Sequence, residues 1–214
     1  MLKILLIPLL LLIQTTTWAL NIEITEGVED ALPIAIVPFA SVSDAAMPSG
    51  QSIDQVIAAD LARSGRFRTL DPADMLSRPA AGDAVDFRDW RALNMENLVV
   101  GRVDANGPGG YLVRFLLYDV YRGEQIIGYN IPTTAKDLRA TAHHIADLIY
   151  ETLTGTPGAI STRIAYVTYV GARESNRVAI KIADADGNHE HTLVASNDPL
   201  MSPARAPDGR KLAA

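Results

Sequence analysis

A change of hydrophobic period at Gly155 divides this chain. Before it, Leu138, Ala142, Ile145, Ile149 and Leu153 recur at i, i+4, i+7, i+11 and i+15. That is the stripe of an amphipathic helix, and Gly155 stands where such a helix stops. The residues beyond Gly155 read as strand and turn. Residues 163–170 alternate apolar with polar, and "NRVAIKIADADGNHEHTLV" (residues 176–194) reads as two strands around an Asp-Gly turn. A second Asp-Gly turn lies in the final "SNDPLMSPARAPDGRKLAA". Asp-Gly suits a type I′ hairpin turn, so the flanks of the first one are expected to be solvated. So short a tail has too few strands to bury two faces alone and reads as the opening of a larger β structure.

Upstream of Gly155 the two periods are mixed. "IAIV" (residues 34–37) is a β-branched run fit for a strand buried on both faces, ended by Pro38. Ile53, Val56, Ile57 and Leu61 form a helical stripe, with Ser52 as N-cap and Gly65 beyond its end. "RFRTL" is a short strand, and a short helix surrounds residues 87–93. "NLVVGRVDA", "YLVRFLLYDVYRG" and "EQIIGYNIP" are three strands, the first two joined by the turn "NGPGG" and the last two at Arg122-Gly123. The order predicts an α/β (α+β) domain over residues 20–155, a mixed sheet with helices packed on it. Residues 156–214 form a linker and a separate β unit.

The start of the chain bears on its compartment. Lys3 precedes an apolar run at residues 4–13, about half the roughly 20 residues that span a bilayer. Thr17 and Ala19 then stand at −3 and −1 of a cleavage site. Residues 1–19 therefore read as a secretory signal, with the mature chain starting at Leu20. The chain has no cysteine, so a hydrophobic core must supply the stability that disulfides give many exported proteins. A net charge of −6 and no basic stripe disfavour nucleic-acid binding.

The mature start, "LNIEIT", alternates. Ile22 and Ile24 face one way; Asn21, Glu23 and Thr25 face the other. Such a ribbon is either an edge strand of its own domain or one that can add to another protein's exposed sheet edge.

Motifs that suggest chemistry each have a plainer reading. Asp184, Asp186 and Asn188 have calcium-loop spacing, but His189 occupies the sixth position and Ala195 the twelfth, where glycine and glutamate are required. His189 and His191 share a strand face, as metal ligands can, or simply flank a hairpin turn. His143 and His144 diverge by about 100° on a helix and read as surface residues. Asp60 lies beside the apolar stripe of its helix and reads as a boundary residue or as one bonded to the neighbouring loop, not as a general base. "NGPGG" lacks the helix and Lys-Ser/Thr of a phosphate cradle. No nucleophile motif, metal site or cofactor is expected.

The tail segment "LMSPARAPDGRKLAA" (residues 200–214) resembles the blade repeat of TolB-type β-propellers, with a Pro-Asp-Gly turn and Arg205 where that family has a tryptophan. "PIAIVPF", "IAADLARSGRF", "LVVGRV", "ETLTG" and "RIAYV" follow that family's order and spacing. The resemblance implies a TolB-like N-terminal domain followed by an incomplete first propeller blade, since a propeller needs about four blades of four strands. It implies a non-enzymatic periplasmic adaptor between inner-membrane TolA and the outer-membrane lipoprotein Pal, serving outer-membrane integrity and cell division. TolA would bind the mature start, Leu20, Asn21, Ile22, Glu23, Ile24, Thr25, Glu26 and Gly27. Pal would bind the propeller, largely missing from this chain. The alternative is an exported hydrolase with a propeller whose catalytic part lies beyond it.

Overall fold

The computed structural model describes residues 31–41, 50–170, 177–200, 203–206 and 212–213. The TolA-binding ribbon expected at residues 20–27 and the secretory signal both lie outside the described residues.

The first unit is a mixed sheet ordered β3-β1-β4-β5-β6. Its strands are β1 (Leu32–Ile36), β2 (Ala40–Ser41), β3 (Phe67–Thr69), β4 (Asn97–Ala105), β5 (Gly110–Asp119) and β6 (Glu124–Thr134). β1 runs parallel between β3 and β4, and β2 continues along β4 beyond Pro38. A strand in that place meets side chains on both faces. Ile34, Ala35 and Val37 are accordingly fully buried, as the unbroken apolar run leads one to expect. β4, β5 and β6 form an antiparallel meander, its turns at the Gly-rich segment and at Gly123 as the sequence indicates.

Helices α1 (Ile53–Arg63) and α3 (Leu138–Thr154) pack side by side on one face. Their stripes meet Ile34, Ile36, Val99, Phe115 and Leu117 of the sheet. Ser52 caps α1, its N–H donating to Gln55 Oε1 at 3.0 Å. Gly155 ends α3 in the left-handed region at φ +73°, where an L side chain would be strained. The opposite face is covered by α2 (Phe87–Ala92), whose Trp90 sits among Ala35, Val37, Leu98 and Val100. Odd and even residues of β1 and β4 thus feed two separate cores, as the period of a strand dictates.

The second unit is a three-stranded antiparallel sheet of β7 (Arg163–Val170), β8 (Arg177–Asp184) and β9 (His191–Ser196). The short strands β10 (Ala204–Arg205) and β11 (Leu212–Ala213) pair separately. Three strands fall short of a four-stranded blade. Among the described residues there is no closed propeller.

Candidate functional site

The two units meet at a charged seam built from α1, α3 and the β8–β9 connection. Asp60, His143 and Arg139 project from the helices; Asp186 projects from the connection toward them. The His143 ring is 3% exposed and Asp60 and Asp186 are similarly enclosed, so every polar atom here needs a partner. His143 Nδ1 lies 2.6 Å from Asp60 Oδ2, and Asp60 Oδ1 accepts from Arg63 one helical turn on. Arg139 donates through Nε to Asp186 Oδ2 at 3.0 Å and through a second nitrogen to the same oxygen, while its Nη1 donates to Gln51 Oε1 at 2.7 Å. His143 Nε2 faces Asp186 Oδ2 at 3.5 Å and has no hydrogen-bond partner among the described residues.

Asp186 stays ionised in this setting. Burial alone would raise its pKa, but the Asn188 N–H on Oδ1 and the Arg139 guanidinium on Oδ2 outweigh that and hold it at about 2. Two open pockets flank the seam. One, of about 290 Å³, includes Asp60, Arg63, Ser64 and Tyr150 in its lining. The other, of about 200 Å³, includes Gln51, Arg63, Arg139, Asp186 and Asn188.

Several sequence expectations are corrected here. His143 is not a surface residue; it is buried, while its neighbour His144, turned about 100° around α3, is exposed. Asp60 bonds to a second helix, not to a loop. The Asp-Gly segment is no two-residue turn: β8 and β9 are joined by residues 185–190, with Gly187 at φ +83° and His189 at φ +53°. Its flank is not wholly solvated, because Asp186 enters the seam. His189 pairs with Asp184 at 2.6 Å, and His191 Nδ1 lies against the His189 carbonyl, so the two histidines do not converge on one point.

Asp60, His143 and Asp186 bring ligand-type atoms within 4.8 Å of one another. A cation fits them poorly, because the Arg63 and Arg139 guanidinium groups already occupy the two carboxylates. An Asp–His pair also resembles the base of a hydrolase, but no hydroxyl or thiol of the described residues reaches the unpartnered Nε2. The Ser64 hydroxyl, in the adjoining pocket, is spent on the Leu61 carbonyl at 2.6 Å. The arrangement joins the two units through side chains.

Comparison with known proteins decides the family. A model of the TolB amino-terminal domain matches residues 20–126, and one of the TolB beta propeller domain matches residues 150–214. The chain belongs to the TolB family. The Tol-Pal system protein TolB of Nitrosococcus oceani is 48% identical over 91% of this chain and 44% of its own length. That of Xanthomonas oryzae pv. oryzae is 42% identical over 99% of this chain and 48% of its own. The crystal structure of TolB from Acinetobacter baumannii superposes with a TM-score of 0.75 at 32% identity, over 86% of this chain and 44% of that one. This TolB-family chain therefore spans about half the length of the curated relatives it matches. The resemblance of the blade repeat and of the upstream segments is borne out by these matches.

Proposed function

We propose that this chain is the TolA-binding half of a periplasmic Tol–Pal adaptor, with residues 20–155 as the partner-binding domain and residues 156–214 as the start of the propeller. The supporting observation is that the relatives with which it shares 42–48% of its residues are Tol-Pal system proteins. No described helix is long and apolar enough to cross a membrane, in keeping with a protein that reaches membranes through partners.

The mature start, residues 20–27, supplies the contact with TolA. Ile22 and Ile24 on one side of an alternating ribbon fill pockets, while the backbone adds to the exposed edge of TolA's sheet. Within this chain, β1 begins at Leu32 and already has β3 and β4 on its two sides. β1 itself therefore has no free side for a further strand. Pal contacts belong to the propeller, so this half alone does not hold Pal. The function is mechanical linkage supporting outer-membrane integrity and envelope invagination during division, without catalysis.

The test is capture of the mature chain on immobilised TolA C-terminal domain and, separately, on immobilised Pal. Retention by TolA and passage over Pal is the expected result. Passage over both columns overturns the reading.

A further inference from the structure

We propose that His143 is a proton-operated latch that fastens the β8–β9 connection to the N-terminal domain more firmly as pH falls. The latch depends on the seam alone and is independent of TolA binding.

The geometry leaves one ring nitrogen without a suitable partner. Nδ1 faces Asp60 at 2.6 Å and, as a donor, satisfies it. In a neutral imidazole Nε2 is then a bare acceptor. It points at Asp186 Oδ2, 3.5 Å away, which can only accept while it is ionised. Two lone-pair atoms facing each other in an enclosed site repel. In the imidazolium both nitrogens donate, and the same contact becomes a charge-assisted hydrogen bond across the seam. Histidine is the side chain whose charge changes near neutral pH, whereas Asp186, held at about 2, remains an acceptor throughout that range.

The surrounding charges are compatible with either state of the ring. From α1 the groups facing it are Asp60 and Arg63, and from the segment before α1 the uncharged Gln51. Its own helix brings Arg139 one turn before and Asp147 one turn after; the latter is already engaged by the backbone N–H groups of Ile160 and Ser161. The β8–β9 connection brings Asp186 and Asn188. β6 meets α3 through the Thr133 and Thr141 hydroxyls and adds no charge at that contact. Arg63 and Arg139 balance Asp60 and Asp186, the two carboxylates that face the ring, so with Asp147 one turn away the proton on His143 takes the named groups from −1 to neutral. What it gains is a direct bond between the units.

The connection carries its own reporters. The Ala185 N–H donates to the Thr162 carbonyl, the Gly187 N–H to the Asp184 carbonyl and the Asn188 N–H to Asp186. Amide exchange at these three positions in the full chain, divided by the exchange of an unstructured peptide at the same pH, reads closure directly. Protection is expected to fall about tenfold from pH 5 to pH 8, the weight of one hydrogen bond to a charged group. His143→Gln, which keeps a single donor, and Asp186→Asn, which removes the acceptor charge, should both give a flat profile. Should His143→Gln fail to fold, Asp186→Asn, which lies in the connection and not in a packed helix, carries the comparison. A flat profile in the parent chain, or the parent's slope persisting in the folded variants, overturns the latch.

Discussion

At the scale of single residues, Asp186 shows how a position that reads as turn chemistry acquires a structural load. "DADG" in sequence is a hairpin signal, and aspartate in such a place is ordinarily solvated. Here its side chain is 4% exposed and bonded to Arg139, 47 residues earlier. The consequence for acid stability has a definite sign. Its folded pKa of about 2 lies below the ordinary 3.8, so ionised Asp186 stabilises the fold above pH ~4, and that contribution is lost as pH falls toward 2. Denaturant melts of the parent and Asp186→Asn should differ at pH 7 and converge by about 2 kcal/mol between pH 4 and pH 2. With the latch acting at higher pH, attachment of the β8–β9 connection should be firmest near pH 4 to 5. In the sequence Asp60 reads as a polar residue next to an apolar helical stripe and His143 as a surface residue, so both were visible as polar positions on helices. Their pairing was not, because it joins positions 83 residues apart, and local pattern carries no information about which distant helix lies alongside.

At the scale of elements, the periodicities were a reliable guide wherever burial has one clear direction. The stripe of α3 is fully buried from Leu138 to Ile149, and the unbroken "IAIV" run became the central parallel strand. β2 was not legible, since two residues give no period. It exists because Pro38 interrupts the ladder and the chain then resumes pairing with β4 at Ala40 and Ser41. That interruption is held by Phe39. Its N–H donates to Asp54 Oδ1 at 3.2 Å, tying the strand break to the first turn of α1, and its ring lies directly over Gly101 of β4. A methyl group on Gly101 would overlap the ring, so Gly101→Ala should destabilise the N-terminal domain by about 1–3 kcal/mol, the usual cost of overpacking. Thermal or denaturant melts check this. An unchanged midpoint would mean that Phe39 swings aside freely and does not fix the break.

At the scale of the whole molecule, the described residues form a layered α/β unit joined to a three-stranded β unit. A mixed sheet with helices followed by a separate β sheet was legible in the sequence, because the hydrophobic period changes between them. The seam between the units escaped sequence reasoning because it is made from the polar positions of elements whose apolar positions had been assigned. The proposed linkage to TolA rests on the mature start, and the direct measurement is calorimetric titration of TolA's C-terminal domain into the mature chain and into the same chain lacking residues 20–25. An alternating ribbon that adds to TolA's sheet predicts saturable binding that weakens at least a hundredfold on deletion, in line with the loss of several backbone hydrogen bonds and two apolar anchors. Equal affinity of the two chains would contradict it.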